Sequence, residues 1–420
     1  MENKRVLIVG YDLCEDFSQI SCYSFKSFEP VTICPDESEE TCLIPTALFV
    51  NSDTKLWSYG KDAATNFLNG NGIYADNLLT KIRTGEVTEI YGQRISGITL
   101  LERFLKKSLI PVRNHFPTET IAKFVITVRD PEPKIVDGVY EALYQLGIER
   151  DRAVVISHAS AYMYYALSQD KSLWLNDVGL FDFNEHGLGY YQISVNRRSN
   201  PMIASMIKKD FTETLNIQML TQKDIDIKYI FEKIADMVVY KQIISTLYFT
   251  GNGFEGGWAE DIIKGLCAGR RVFMGPSLYT KGACYAAKEL AGDKKLENII
   301  LLNNEMLVSS IWIRLYTDAG LREVLLSEAA VSWYEVDKSI EVIPDIETEI
   351  EIILRNIMTR EVTKEKLFLH NLPDRPNRMT RLGINLTCSD RSSARITVTD
   401  LGFGEFYPSS GLSWEYSINI

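Results

Sequence analysis

Two aspartates at the ends of short apolar strands are the residues of this chain best suited to chemistry. Asp12 follows an apolar strand and Gly10, and Asp182 ends the similar run Val178–Phe181 far downstream. Two strands that each present a carboxylate beside a turn can hold Mg²⁺ and its waters over the phosphates of a nucleotide, because hard cations prefer oxygen ligands. The alternative is that each is a buried strand ending at a polar turn, since short apolar runs are common.

Length and charge bound the class of protein. A chain of 420 residues exceeds what one hydrophobic core covers, so we expect two or three domains. The net charge of -11 argues against a nucleic-acid partner, because binding a polyanion requires clustered Lys and Arg. Since no apolar run reaches the roughly 18 residues of a bilayer span and the N-terminus does not look like a signal peptide, we expect a soluble cytoplasmic protein.

The seven cysteines predict no disulfide framework. Their number is odd and no Cys-x-x-Cys pair is present, so we expect reduced, mostly buried thiols. Four of them near the N-terminus could form a metal site, but strand cysteines packed as small hydrophobic residues are the favoured interpretation. These four are Cys14, Cys22, Cys34 and Cys42.

The elements that must position the aspartates alternate between strand and helix. Helical spacing of apolar residues predicts an amphipathic helix over 98–115, a helix over 133–146, another over 160–167 and a helical region over 225–247. After about Gly292 the segments become short and alternate apolar with polar residues, which predicts an all-β sandwich. In that part, the run Gly402–Tyr407 could shape an apolar peptide groove, although core packing is the favoured interpretation.

The order of these parts resembles the DnaK-type heat-shock chaperones, within the actin, hexokinase and heat-shock ATPase superfamily. The motifs that carry the resemblance are Val9–Leu13 for the first phosphate hairpin, Lys81–Gly85 for the phosphate-contacting lysine, Thr250–Phe254 for the adenosine turn, Lys281–Ala287 for the closing helix and Ile396–Asp400 for the substrate-binding sandwich. The resemblance covers nearly the whole chain and implies a two-lobed ATPase fold.

The resemblance also implies roles for individual residues. It implies Mg²⁺ ligands at Asp12 and Asp182, and catalytic positions at Asp182, Lys81 and His158, where His158 stands at the position of the family's catalytic glutamate. Lys81 could instead be an ordinary surface lysine, and the glycines could serve plain turns without a ligand. The cofactor-binding positions that the resemblance implies are Gly10, Asp12, Leu13, Gly187, Gly251, Gly253 and Lys281.

Departures from the family pattern weaken the predicted nucleotide site. Glu15, Asp16 and Glu185 would crowd a triphosphate, and at about 4 Å each like-charge pair costs roughly 4 kcal/mol at an effective dielectric of about 20. The second hairpin lacks the glycines that let backbone N–H groups approach phosphates, and His158 supplies no anionic charge to activate water. We therefore expect ATP or ADP with Mg²⁺ to bind weakly or not at all.

The interpretation that results is an α/β, two-lobed actin-like ATPase fold over residues 1–292 with a reduced second-lobe subdomain, followed by a β-sandwich domain over residues 293–420. We expect a chaperone-like or scaffold protein that binds a peptide or protein partner through the β domain, with a degenerate or regulatory nucleotide pocket. The alternatives are an active Mg-ATP-dependent chaperone-type ATPase that uses Asp12, Asp182 and Lys81, and an actin-like assembly or cell-division protein.

Overall fold

The computed structural model describes residues 6–35, 42–222, 224–317, 320–345 and 348–420. The chain divides into two compact units, Met1–Ile299 and Ile300–Ile420. The first unit is mixed α/β and the second is built from strands. Within the described ranges, no helix combines the length and the apolar character needed to cross a membrane.

The strands of the first unit are, in chain order, β1 (Val6–Leu13), β2 (Phe17–Ser24), β3 (Glu29–Thr32), β4 (Ile44–Pro45), β5 (Leu48–Asn51), β6 (Trp57–Tyr59), β7 (Gly72–Ala75), β8 (Val87–Ile90), β9 (Gln93–Ser96), β10 (Thr120–Val128), β11 (Ala153–Ser157), β12 (Asp177–Asn184), β13 (Gly187–Asn196), β14 (Met202–Asp210), β15 (Ile244–Thr250) and β16 (Arg271–Met274). A further strand, β17 (Ile299–Leu302), crosses the division between the units.

The α-helices are α1 (Gly60–Leu68), α2 (Leu78–Thr84), α3 (Gly97–Ser108), α4 (Ile110–His115), α5 (Pro133–Gln145), α6 (His158–Leu167), α7 (Ile227–Val239), α8 (Glu260–Leu266) and α9 (Leu278–Lys288). The single helix predicted over 98–115 is two helices, because Pro111 lacks an N–H and sits in the first turn of α4. The helical region predicted over 225–247 is wrong beyond Val239, since the apolar run that begins at Ile244 is the buried strand β15.

Two sheets of the first unit share one topology. In the first sheet the order is β11-β10-β1-β2-β3, with β4 beside β2, and in the second sheet the order includes β16-β15-β12-β13-β14. In the first sheet, β1 pairs antiparallel with β2 and parallel with β10. In the second sheet, β12 pairs antiparallel with β13 and parallel with β15. Smaller sheets join β6-β5-β7 and β8-β9. The first unit therefore contains the same five-strand arrangement twice.

Two helices follow the last strand of these arrangements and cross closely. Helix α6 follows β11, and helix α9 follows β16. A Cβ placed at Gly282 of α9 would lie 2.0 Å from the carbonyl oxygen of Ala161 in α6, and one placed at Gly10 of β1 would lie 2.2 Å from the backbone N of Cys284. Only glycine allows this approach, so these two positions fix how α9 packs on the first sheet and on α6.

A disulfide in the first unit corrects one expectation. Cys34 is bonded to Cys42, with Cα atoms 4.4 Å apart, so the prediction of seven reduced thiols is wrong for this pair. The structure brings the chain after β3 back beside the start of β4, which sequence spacing alone did not indicate. Cys22 and Cys284 are buried free thiols as expected, whereas Cys267 is exposed.

The second unit consists of two antiparallel four-stranded sheets around one core. Ile311, Ile352, Leu386 and Ile396, which come from both sheets, belong to the same buried cluster. The sheet orders are β19-β18-β21-β22 and β20-β23-β24-β25. The strands are β18 (Ser309–Thr317), β19 (Gly320–Ser327), β20 (Asp337–Val342), β21 (Glu349–Asn356), β22 (Val362–Phe368), β23 (Arg381–Asp390), β24 (Ser393–Gly402) and β25 (Ser413–Asn419).

The favoured prediction that the run Gly402–Tyr407 packs in the core is wrong for its two phenylalanines. Phe406 is 92% exposed and Phe403 is 36% exposed, so neither ring is in the core. The run lies in the connection between β24 and β25, where Gly402 has a positive φ of 69° and turns the chain sharply away from the strand.

Candidate functional site

A cavity of about 290 Å³ lies where the leading strands of the two sheets end. Asp12 reaches it from β1 and Asp182 from β12, while His158 and Tyr279 reach it from the first turns of α6 and α9. Its charged lining residues are the acids Asp12, Asp16, Asp182, Glu185 and Glu255 and the base Arg129, with His158 beside them. Because the carboxylates outnumber the guanidinium, the field in the cavity disfavours an added anion.

Asp12, Cys14 and His158 form a tight group on the first sheet. His158 Nε2 lies 2.7 Å from Asp12 Oδ1, and Cys14 Sγ lies 3.6 Å from each of these two atoms. Ser157 caps α6 by accepting a hydrogen bond from the backbone N of Ser160, which fixes His158 as the first helical residue. Burial, and then the Asp12 carboxylate, raises the pKa of the Cys14 thiol well above its usual value.

Both carboxylate oxygens of Asp182 contact protein groups. Its Oδ2 accepts a 2.7 Å hydrogen bond from the Tyr279 hydroxyl and a 3.4 Å contact from Arg129, and its Oδ1 accepts a 2.7 Å bond from Asn184 Nδ2. Burial opposes the charge on Arg129, but the Asp182 carboxylate raises the pKa of this guanidinium. The charge of Asp182 is therefore neutralised within the protein.

The aromatic partners of the two aspartates touch each other. The rings of His158 and Tyr279 stack with centroids 3.8 Å apart and planes 14° apart. His158 hydrogen-bonds Asp12, and Tyr279 hydrogen-bonds Asp182. Each repeat of the five-strand arrangement thus supplies one aspartate and one ring, and the stack joins the two halves of the site.

The acidic residues of the two hairpins have different roles. Glu15 accepts hydrogen bonds from the backbone N atoms of Leu79, at 3.2 Å, and Thr80, at 2.5 Å, and so caps α2. The expectation that Glu15 crowds a phosphate site is wrong, because its charge is used at the helix N-terminus. Asp16 and Glu185 do line the cavity. Burial, followed by a hydrogen bond to Glu185, raises the pKa of Asp16.

Two protein-family models match this chain. A model described as "Family of unknown function (DUF5716) C-terminal" matches residues 29–304, well over half of the chain. The chain belongs to this family. A "Domain of unknown function (DUF8552)" matches residues 306–420. No curated protein matches the chain. The DUF5716 match includes His158, Asp182 and Tyr279 but begins after β1 and β2, which carry Asp12 and Cys14.

Several glycines predicted to approach a cofactor approach protein atoms in this DUF5716 protein. Gly10 packs on α9, and a Cβ at Gly251, where φ is +99°, would lie 2.1 Å from the carbonyl oxygen of Phe183. A Cβ at Gly253 would meet the Phe183 ring at 2.5 Å, and one at Gly187 would meet Thr212 at 2.8 Å. The need for glycine at these positions is therefore explained by packing, although Gly251 also lines the cavity.

The remaining predicted residues do not line the cavity. Lys81 is on α2, where its ammonium lies 3.8 Å from Glu86, and it does not line the cavity. Lys281 lines a separate, smaller pocket beside Tyr165. Leu13 is fully buried in the core. Of the predicted residues, the structure thus brings together Asp12, His158, Asp182 and Gly251, and it separates the two lysines from them.

Sequence reasoning missed Arg129 and Tyr279, and it considered Cys14 only within a less favoured metal site of four cysteines. Arg129 directly follows β10, which runs parallel to β1 with Thr127 opposite Asp12. Because neighbouring parallel strands end at the same edge of a sheet, the residue after β10 was a candidate for the site of this DUF5716 protein. Among the described residues, the group able to converge on a metal ion is Asp12, Cys14 and His158.

Proposed function

We propose that the protein is a chaperone-like or scaffold protein that captures a peptide or protein partner through residues 300–420, while its cleft does not hydrolyse nucleotide. The repeated strand order and the α6–α9 crossing support a two-lobed actin-like architecture. The short stretch between β14 and β15, whose α-helix is α7, supports a reduced second-lobe subdomain. The net charge of -11 supports the absence of a nucleic-acid partner.

The observation that carries the proposal is that protein groups already occupy both carboxylate oxygens of Asp182. Its two oxygens already accept contacts from Tyr279, Asn184 and Arg129. Mg²⁺ demands near-ideal octahedral oxygen coordination, so it would have to displace these donors and face the guanidinium. Asp12 is likewise engaged by His158. Binding of Mg-ATP would therefore lose protein contacts that are present without it.

The partner surface is proposed on the second unit because that unit exposes an aromatic side chain on a defined loop. Phe406 protrudes from the connection between β24 and β25. Aromatic side chains are the commonest anchors of protein interfaces. The outer strands β19, β20, β22 and β25 also offer edges to which an extended peptide could add by main-chain pairing.

A cytoplasmic location is part of the proposal, but the disulfide counts against it. Bonds such as Cys34–Cys42 are rare in reducing compartments. Alkylating the protein as it is extracted and denatured, without reductant, tests this point. Seven alkylated cysteines support the cytoplasm, and five support an oxidising compartment.

Two measurements on the full chain test the proposal. Calorimetric titration with Mg-ATP and Mg-ADP should give no saturable binding, with a Kd above about 1 mM. Micromolar binding with phosphate release would favour the active ATPase instead.

Partner capture is tested with immobilised peptide libraries. Phe406→Ser should weaken binding by roughly 10-fold or more, as for a buried aromatic anchor. Tyr316→Ser is the matched control, because Tyr316 is 81% exposed on β18 of the same unit and should be dispensable. Equal binding by both variants and the unchanged chain would argue against the Phe406 surface.

A further inference from the structure

The three side chains around His158 Nε2 are arranged for coordination rather than for nucleophilic catalysis. In a cysteine–histidine–aspartate relay, the thiol and the carboxylate address different nitrogens of the imidazole. Here Cys14 Sγ and Asp12 Oδ1 both approach Nε2. The carboxylate therefore competes with the thiol for Nε2 and cannot orient the ring through the other nitrogen, Nδ1. The three donor atoms instead face a common point.

The spacing of these atoms fits a tetrahedral metal ion. With metal–sulfur bonds of about 2.3 Å and metal–nitrogen or metal–oxygen bonds of about 2.0–2.1 Å, tetrahedral angles place sulfur roughly 3.5–3.6 Å from the lighter donors. Cys14 Sγ lies 3.6 Å from both Asp12 Oδ1 and His158 Nε2. The 2.7 Å separation of the nitrogen and the oxygen is a hydrogen bond. The distance between these two atoms would increase by roughly 0.6 Å when both coordinate a metal.

The imidazole is oriented toward this point by its surroundings. His158 is 3% exposed and stacks on Tyr279. Its Nδ1 is buried and has no hydrogen-bond partner in the part of the chain that the structure describes. The ring is therefore held by the stack and by the start of α6, and Nε2 is the nitrogen that faces Asp12 and Cys14.

We propose that Asp12, Cys14 and His158 bind a borderline transition cation such as Zn²⁺, with the fourth coordination position open to the cavity. Thiolate and imidazole ligands select such ions over Mg²⁺. On binding, Cys14 releases its thiol proton to solvent, and the proton of the hydrogen bond between His158 Nε2 and Asp12 moves to Nδ1 of the imidazole, so that the lone pair of Nε2 can coordinate the ion. The two anionic ligands then cancel the charge of the divalent ion. Three protein ligands and one open position are typical of zinc sites that bind water or a substrate.

Two nearby positive charges would repel the bound cation, but negative groups offset each of them. Arg129 lies 3.4 Å from Asp182, so its charge is directed to that carboxylate. The N-terminus of α6 carries the positive end of the helix dipole, equivalent to roughly half a charge. Glu185 and Glu255, which also line the cavity, supply negative charge that offsets it. The inference does not depend on partner capture by the second unit.

Cobalt titration of the metal-free full chain tests the site, since Co²⁺ reports its ligands by absorption. We expect one bound equivalent, with a thiolate-to-cobalt charge-transfer band and the visible bands of tetrahedral coordination. Cys14→Ser should lose the charge-transfer band and bind at least about 100-fold more weakly, because even outer-sphere changes cost about 10–100-fold. Cys267→Ser, which changes an exposed thiol, should bind as the unchanged chain does.

A second measurement avoids any folding defect of the variants. Alkylation of the unchanged protein is followed by peptide mass spectrometry with and without Zn²⁺, for long enough that Cys14 is modified in the metal-free protein. Zn²⁺ should slow the modification of Cys14 and leave that of Cys267 unchanged, and Mg²⁺ should protect neither. Equal modification of Cys14 with and without Zn²⁺, or a cobalt band that survives Cys14→Ser, overturns the proposal. Absence of nucleotide or peptide binding leaves it standing.

Discussion

Replacement of Arg375 by methionine should destabilise the second unit through a single buried carboxylate. Asp400 lies on β24 with a fully buried side chain, and Arg375 donates a hydrogen bond of 2.8 Å to each of its oxygens. Arg375 also donates a bond of 2.8 Å to the carbonyl oxygen of Pro408. Methionine keeps much of the aliphatic volume but supplies none of these donors, so the substitution isolates the loss of the guanidinium.

The expected cost follows from the remaining contacts. Breaking a buried ion pair by removing one partner costs about 3–5 kcal/mol. Ser410 and Gly402 still donate three hydrogen bonds to the carboxylate. We therefore expect the lower end, about 3 kcal/mol. That free energy corresponds to a roughly 160-fold increase in the opening equilibrium, at about 1.36 kcal/mol per factor of ten.

Hydrogen exchange of the β24 amides in the full chain measures this opening without requiring the two units to unfold together. Arg378→Met is the matched control, because Arg378 pairs with Asp345 at 3.1 Å on the surface. Exposed pairs contribute about 0–1 kcal/mol, so the control should exchange nearly as the unchanged chain does. If Arg375→Met and Arg378→Met accelerate exchange equally, the buried-pair reasoning is refuted.

The same pair predicts an acid dependence. The Arg375 guanidinium, as the largest cause, holds the pKa of Asp400 well below its usual range. A lowered folded-state pKa gives stability that is present above the unfolded value of about 3.9 and is lost as the pH falls toward the folded value. After correction for the intrinsic exchange rate, which itself falls with pH, the opening of β24 should therefore increase below about pH 4, and Arg375→Met should reduce that increase. An acid profile that is the same with and without Arg375 would contradict the assignment.

Four further substitutions, one of them a control, test the first unit by thermal denaturation. Gly282→Ala should cost at least about 2 kcal/mol, because its methyl group would overlap a carbonyl oxygen of α6. Gly265→Ala, at a helical position with no neighbour within 4 Å, should instead gain about 0.5–1 kcal/mol, and equal effects would contradict the close helix crossing. Tyr279→Phe should lower the free energy of unfolding by about 1–2 kcal/mol, because it removes the hydrogen bond to Asp182. An unchanged melting temperature would show that this bond contributes nothing. Glu15→Ala should cost about 1 kcal/mol by removing the cap of α2, and a neutral result would argue against that cap.

The strands that carry the two aspartates were accessible to sequence reasoning because their signal is local. Asp12 and Asp182 each follow a continuous apolar run, and the structure buries both runs in sheets. The alternating strands after residue 300 were equally clear, since period-two patterning reports one buried face. Element boundaries were harder, as the break at Pro111 and the end of α7 at Val239 show.

The composition of the site was only partly predictable because it depends on contacts that are distant in sequence. Arg129 and Tyr279 meet Asp182 through the parallel register of the strands and the crossing of the helices. No local pattern distinguishes Glu15, which caps a helix, from Asp16, which lines the cavity. The charge of a short acidic run was therefore visible in the sequence, but the direction of each side chain was not.

The bonds around Asp400 also determine how the loop that bears Phe406 meets another molecule. The carboxylate accepts hydrogen bonds from the backbone N–H groups of Gly402, at one end of the loop, and Ser410, at the other. The backbone N–H of Asp400 also donates a hydrogen bond to the carbonyl oxygen of Leu412. Fixing the backbone of a free loop would cost about 1–2 kcal/mol for each residue ordered. Here that entropy is already lost when the unit folds, and a partner that contacts Phe406 need restrict only the ring, at about 0.5–1.5 kcal/mol. The buried charge thereby leaves more of the contact energy available as affinity.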